Sequence, residues 1–276
     1  MVIGDPIAHS RSPGIQNAAF EYYHLGSPYG IRHVRPAELP EFIKFARANL
    51  KGANLTIPHK SMVIPLLDSI DPAAEIAGSV NTLIIENGRI HGTSTDGYGL
   101  EQALIENFHR PVAGANVTFI GAGGAAHATA FHLAAVGVKS IRIANRTIAK
   151  AEEIANKLRT FYPELAVEIA QPNDSAILAR WFADTDFLIQ ATSLGLQEND
   201  PPPFDLSLLT PELKLCVFDT IYRQTSLLKR ALELGLPAVN GEAMLIHQGA
   251  KSFELWTGLA APLEAMRRGF GEKKLC

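Results

Sequence analysis

A lysine and an aspartate stand out among the polar residues of this chain. Lys60 closes the run Asn54-Leu55-Thr56-Ile57-Pro58-His59-Lys60, which reads as a strand passing directly into the start of a helix. A cation in the first turn of a helix opposes the local dipole, so a lysine kept there invites a role beyond that of an exposed charge. Asp96 follows Thr93-Ser94-Thr95 and precedes Gly97. It has two readings: the N-cap of the next helix, a common use of Asp, or an anchor that holds the Lys60 ammonium and keeps it protonated. Asn54, Thr56, Asn81 and Thr82 add amides and hydroxyls at the ends of elements, where α/β proteins place their sites. Ser12-Pro13 has the form of an N-cap followed by proline at the first helical position, whereas Ser10 has no such structural account.

A second constellation lies in Val117-Thr118-Phe119-Ile120-Gly121-Ala122-Gly123-Gly124-Ala125-Ala126, which ends a strand and opens a helix. Gly121 allows a tight turn. Gly123 and Gly124, with Ala122 and Ala125 between and after them, let backbone N–H groups approach a pyrophosphate where the helix dipole favours an anion. Ala126 is small enough for close helix packing. The next strand ends Ala144-Asn145-Arg146-Thr147. A site that prefers NAD usually carries an acid here for the ribose 2′-hydroxyl, and this chain has none. Arg146 can pair with a 2′-phosphate, and Lys150, four residues on, adds a second cation on the same helical face. Thr147 is expected to cap that helix. Two cations without an acid favour NADP, against the alternative of a solvated basic patch.

The elements that must position these residues alternate short apolar strands with amphipathic helices, which predicts an α/β fold with mostly parallel sheets. Strands are expected near residues 1–3, 30–33 and 53–57, with helices over 13–24 and 39–49. Asn87-Gly88 is a strong turn signal and predicts a hairpin of 79–86 with 89–94. After a helix from Asp96 to about Phe108, strands are expected at 117–120, 140–144, 167–170, 187–190 and 215–219, and helices at 124–136, 148–161, 225–234 and 243–256. The break near 96–116 is the best domain boundary. The last helices could belong to either domain.

Totals narrow the function classes. The 276 residues are 47% hydrophobic and 19% charged, with a formal net charge of -3. That is enough apolar material for two cores, and the charge argues against nucleic acid as the main partner. Cys216 and Cys276 form no C-x-x-C pattern, so neither a disulfide scaffold nor a metal site is indicated. His127 and His132 are five apart, a poor spacing for shared ligation from one helix. The 28 residues between Arg110 and Lys139 lack Asp, Glu, Lys and Arg. They also contain five glycines, two histidines and Asn116, and they break at Gly121, so they read as a buried nucleotide-binding unit and not a membrane span. The opening residues have no secretory pattern, and a cytoplasmic protein is expected.

Taken jointly, the motifs resemble shikimate dehydrogenases. The resemblance runs from Gly4-Asp5-Pro6-Ile7-Ala8-His9-Ser10-Arg11-Ser12-Pro13 through the Lys60 run, Gly78-Ser79-Val80-Asn81-Thr82, Ser94-Thr95-Asp96-Gly97, the glycine loop and Asn145-Arg146-Thr147. It continues through Ala191-Thr192-Ser193-Leu194-Gly195, Asp219-Thr220-Ile221-Tyr222, Asn240-Gly241 and Met244-Leu245-Ile246-His247-Gln248. It implies reversible reduction of 3-dehydroshikimate to shikimate with hydride from NADPH. It also implies an N-terminal substrate domain, 1–96 with 243–276, and a Rossmann-like cofactor domain, 97–242. On that resemblance Ser10 and Ser12 bind the substrate carboxylate with Tyr222 nearby, and Thr56, Asn81 and Gln248 hold ring hydroxyls, with Asn54 in the same group. Lys60 is the acid–base group with Asp96 as its partner. Arg146 and Lys150 hold the 2′-phosphate, Thr192 and Ser193 line the cofactor path, and Gly241 and Met244 approach the nicotinamide. The partner is a small molecule, with a homodimer as an open alternative.

The chain also departs from the family pattern. The link Arg223-Gln224-Thr225 after Tyr222 is shorter by about two residues and lacks the usual proline. Ser94 stands where Asn is frequent, and Ser79 where Ala is usual. These departures keep two alternatives open: a related enzyme acting on quinate or an aminated shikimate, and a non-catalytic nucleotide-binding regulator.

Overall fold

The computed structural model describes residues 1–26 and 29–271; Cys276 lies outside the described residues. The chain divides into two compact units, Met1–Gly99 with the segment from Leu245 onward, and Leu100–Met244.

The first unit is built on a mixed six-stranded sheet: β1 (Val2–Gly4), β2 (Ile31–His33), β3 (Gly52–Leu55), β4 (Ser69–Ile70), β5 (Thr82–Glu86) and β6 (Arg89–Thr93), in the order β2-β1-β3-β5-β6-β4. β1 pairs in parallel with β2 and β3, while β5 runs antiparallel to both β3 and β6. Asn87 and Gly88 both take positive φ in the β5–β6 turn, as a two-residue hairpin requires. The helix α1 (Ser12–Tyr22) begins one residue earlier than its sequence suggests. Arg11 occupies the N-cap position without a side-chain cap, and Ser12 is the first helical residue. The helix α2 (Leu39–Asn49) buries Leu39, Phe42, Ile43 and Ala46, a stripe at helical spacing that packs with Ile3, Leu55, Leu83 and Ile90. Two short helices follow, α3 (His59–Met62) and α4 (Pro72–Ala77). The later segment returns as α10 (Glu242–Thr257) and α11 (Leu263–Gly271), and Ile246, Ala250, Phe253 and Met266 close a second cluster over Ile15 and Ala19 of α1.

The second unit is an all-parallel six-stranded sheet: β7 (Asn116–Ile120), β8 (Ser140–Ala144), β9 (Ala166–Ala170), β10 (Phe187–Gln190), β11 (Cys216–Asp219) and β12 (Ala238–Asn240), ordered β12-β11-β10-β7-β8-β9. Every residue of β8, β10 and β11 is buried, as expected of strands covered on both faces. Its helices are α5 (Asp96–Phe108, shared with the first unit), α6 (Gly124–Ala135), α7 (Ile148–Phe161), α8 (Ser175–Phe182) and α9 (Ser226–Glu233). The chain winds outward through β8 and β9 on one side of β7, and through β10, β11 and β12 on the other. The strand order therefore reverses between β7 and β10, the position where open parallel sheets bind ligands beyond their carboxyl ends. The charge-free run that could suggest a membrane span is β7 and α6. Among the described residues no helix is long and apolar enough to cross a membrane.

Candidate functional site

In the first unit the carboxyl end of β3 leads through Thr56, Ile57 and Pro58 into α3, whose second residue is Lys60. The helix is fixed from both sides. The His59 ring is buried with Nε2 2.7 Å from the carbonyl of Val34, and the Lys60 carbonyl accepts the Val80 N–H at 2.8 Å. The Lys60 ammonium donates to Asp96 Oδ2 at 2.5 Å, and Asn81 Nδ2 donates to Asp96 Oδ1 at 2.8 Å. Of the two sequence readings of Asp96, the structure therefore contains the ion pair. The Asp96 side chain is 8% exposed and that of Lys60 22%, so the pair reaches solvent through the lysine. Asn81 is in turn fixed: its Oδ1 accepts the Thr95 N–H at 2.9 Å and the Thr82 hydroxyl at 2.7 Å, and its amide also reaches Gln248 Oε1 at 3.3 Å.

Asn54, expected among the substrate-binding residues, makes its hydrogen bonds within the unit. It is 5% exposed and its amide is fully engaged inside the unit. Oδ1 accepts the Tyr29 hydroxyl at 2.6 Å, and Nδ2 faces Thr82 Oγ1 and Ser252 Oγ, both at 3.0 Å. It is placed to brace Asn81 and α10. Ser10 also has a structural account that the sequence did not supply: its Oγ accepts the Ser12 N–H at 3.3 Å, the service a capping residue gives a helix start. Ser10 lines an open groove of about 1150 Å³ with His9, Arg11, Asn17 and Arg268; Lys60, Asn81, Asp96 and Gln248 do not line it. Thr56 is half-buried, and a side chain on Gly4 would meet its methyl at 2.5 Å, so Gly4 makes room for it. Ser79 and Ser94, both departures from the family pattern, carry buried hydroxyls without a partner among the described residues.

In the second unit Gly121 has φ +112, and a Cβ there would lie 2.8 Å from the backbone of Ala191. The glycine is thus required twice, for its conformation and for the close approach. Gly123 is the N-cap residue of α6, and Gly124 opens the helix with empty space where a side chain would stand. Ala126 is buried beneath them. Asn145 ties this loop to the next one, accepting the Ala122 N–H at 3.1 Å and donating to the Thr147 carbonyl at 2.8 Å. Thr147 occupies the N-cap position of α7, but its side chain makes no capping bond. Arg146 and Lys150 are exposed, and among the described residues neither forms an ion pair. Ala125 lies in the first turn of α6, Thr192 and Ser193 in the loop after β10, Gly241 and Met244 around the start of α10, and Tyr222, 48% exposed, in the turn after β11.

Two buried side chains beside this surface were not anticipated. Gln190 closes the apolar strand β10: its Oε1 accepts the Thr192 N–H and its Nε2 donates to the Leu194 carbonyl. Asp219 closes β11 and holds the following turn in a similar manner. The available signal was a polar residue ending a wholly apolar strand. Among the described residues no group of three or more His, Cys, Asp or Glu is placed to hold a metal ion.

Comparison with known proteins places this geometry. Residues 2–83 match the shikimate dehydrogenase substrate binding domain, residues 103–193 the shikimate/quinate 5-dehydrogenase family, and residues 241–268 the shikimate 5′-dehydrogenase C-terminal domain. The chain is 40% identical to a shikimate dehydrogenase (NADP(+)) of Desulforamulus reducens over 96% of its own length and 92% of the relative's. It is similar to the structure of shikimate 5-dehydrogenase from Listeria monocytogenes in complex with shikimate and NAD (TM-score 0.90, 34% identity, 97% and 94% of the two chains). It is also similar to that from Thermus thermophilus in complex with NADP(H) and shikimate (TM-score 0.85, 32% identity, 98% and 96%).

Proposed function

The chain belongs to the shikimate dehydrogenase family, and from that premise we propose that Lys60 and Asp96 carry an NADP-dependent, reversible reduction of 3-dehydroshikimate to shikimate. The observation that carries the reading is the Lys60–Asp96 ion pair with Asn81 on the other carboxylate oxygen. As the substrate carbonyl is reduced, its oxygen gains negative charge. An ammonium beside it stabilises the transition state more than the ground state, and Lys60 then delivers a proton to that oxygen. In the reverse direction Lys60 receives it. Asp96 holds the ammonium in place and Asn81 holds Asp96.

Ser10 and Ser12 are proposed for the substrate carboxylate together with Tyr222, and Thr56, Asn81 and Gln248 for its hydroxyls. Asn54 is proposed with the same group and also braces Asn81 and Ser252. NADPH, when bound, supplies the hydride. The second unit suits it: the empty space over Gly124 admits a pyrophosphate to the N-terminus of α6, and the exposed Arg146 and Lys150 meet a 2′-phosphate. Thr192, Ser193, Gly241 and Met244 complete the proposed cofactor surface. The cytoplasm is the proposed location, and a homodimer the assembly to be tested by light scattering.

The decisive experiment follows nicotinamide absorbance while shikimate and quinate are each oxidised with NADP and with NAD. Strong turnover with shikimate and NADP supports the reading. Preference for quinate or NAD keeps the chemistry and overturns the specificity, and no turnover with any pair removes the assignment.

A further inference from the structure

Asp219 is fully buried, takes no part in the chemistry above, and among the described residues has no cation paired with it. Its two carboxylate oxygens do separate work: Oδ1 accepts the Ile221 N–H at 3.0 Å and Oδ2 accepts the Thr225 hydroxyl at 2.7 Å. Thr225 Oγ1 also accepts the Leu228 N–H at 3.2 Å, capping α9. With that contact made, the Thr225 hydroxyl is oriented to donate, and its partner must be an acceptor. A carboxylate satisfies Ile221 and Thr225 together; an amide would turn a donor toward one of them.

The turn that Asp219 closes touches its neighbours tightly. A Cβ on Gly195 would meet Thr225 Cγ2 at 2.7 Å, and one on Gly241 would run into the backbone of Thr220. The Gly241 N–H reaches the Ile221 carbonyl at 3.3 Å, and Arg223 Nη1 reaches the Leu196 carbonyl at 3.1 Å. On the far side of the 191–197 loop, Gly121 abuts Ala191. The glycine loop, the loop after β10, the turn after β11 and the start of α10 thus form one interlocked rim. Gln190, register partner of Asp219, fastens its own loop with a neutral amide. Asp219 does so with an uncompensated charge, and burial pushes its carboxyl up to about 6 against the opposing pull of Thr225 and Ile221. A buried charge kept without a cation costs stability, which points to a return in function.

We infer that Asp219 is a positioning residue for the cofactor rim, using Thr225 to lock the 220–225 turn against the 191–197 loop and Gly241. The inference rests on the proposed placement of the cofactor along that rim. Asp219→Asn removes the charge and reverses one hydrogen bond at nearly constant volume. The expected result is a Kd for NADPH, read by fluorescence titration, raised about tenfold and a kcat/KM lowered by a similar factor, with Tm within about 3 °C of wild type. Thr225→Val should act in the same direction, and Thr225→Ser, which retains the hydroxyl, should restore wild-type binding. A lowered Tm with unchanged Kd and unchanged kinetic constants would overturn the inference, as would a Thr225→Val variant that binds NADPH normally. If Asp219→Asn does not fold, the Thr225 pair decides. The titration needs no turnover, so an enzyme inactive on shikimate would remove the proposed function without deciding this one.

Discussion

The two units bring polar chemistry to their surfaces by opposite means. In the first, functional groups are side chains held by other side chains: Lys60 by Asp96, Asp96 by Asn81, and Asn81 by Thr82, Thr95 and Gln248. In the second, the candidate binding surface is made largely by leaving side chains out, at Gly121, Gly123 and Gly124, with two exposed cations at its edge. A network of the first kind fixes the direction of one side chain. A bare backbone rim of the second kind fixes a shape. The sheets differ accordingly: a mixed sheet with an antiparallel hairpin brings Asn81 and Asp96 beside α3, and a fully parallel sheet has a switch point between β7 and β10.

The comparison is tested most severely by Lys60→Ala. If the side-chain network exists to serve one reactive group, kcat should fall about 10³-fold, roughly 4 kcal/mol of transition-state stabilisation, while KM for shikimate changes far less. A variant retaining full kcat would break the distinction. Gly121→Ala asks the matching question of the second unit. Its methyl meets the Ala191 backbone at a left-handed φ, so a loss of roughly 2–4 kcal/mol of stability is expected in chemical denaturation, together with weakened NADP binding. An unchanged midpoint would mean that the rim tolerates side chains after all. Arg146→Ala has the smallest expected effect: KM for NADP should rise about tenfold, equivalent to about 1.4 kcal/mol, while KM for NAD stays as it was. Equal effects on the two cofactors would show that Arg146 does not read the 2′-phosphate.

Legibility in the sequence followed the strength of local signals. The helices Leu39–Asn49 and Ile148–Phe161 and the strands Ser140–Ala144 and Phe187–Gln190 occur where periodicity and apolar runs place them. The elements not anticipated are mostly short. Ser69–Ile70 and Ala238–Asn240 are strands only because a neighbouring strand pairs with them, and Ser175–Phe182 is a helix whose buried Leu178, Trp181 and Phe182 find their core in the fold. The same division holds at the site. Lys60 and Asp96 carry enough chemistry to suggest a pair from sequence. Nothing local reveals that Tyr29, Asn54, Thr82 and Ser252 converge, since Asn54 and Ser252 are 198 positions apart. The sequence accordingly could not show that the Asn54 amide is tied to Tyr29, Thr82 and Ser252. Ser10 and Thr147 show the converse limit: which hydroxyl meets a helix-start N–H depends on torsions that residue identity does not set.

The hydrogen bond from Asn54 to Ser252 also has a consequence for biosynthesis. The ribosome delivers Asn54, Lys60, Asn81 and Asp96 long before Gln248 and Ser252, and the whole Leu100–Met244 unit is made in between. An emerging chain can therefore complete its parallel sheet while the mixed sheet still lacks α10 and α11. A ribosome that stalls before Leu245 would release a product with a finished second unit and an Asn81 that lacks its contact with Gln248.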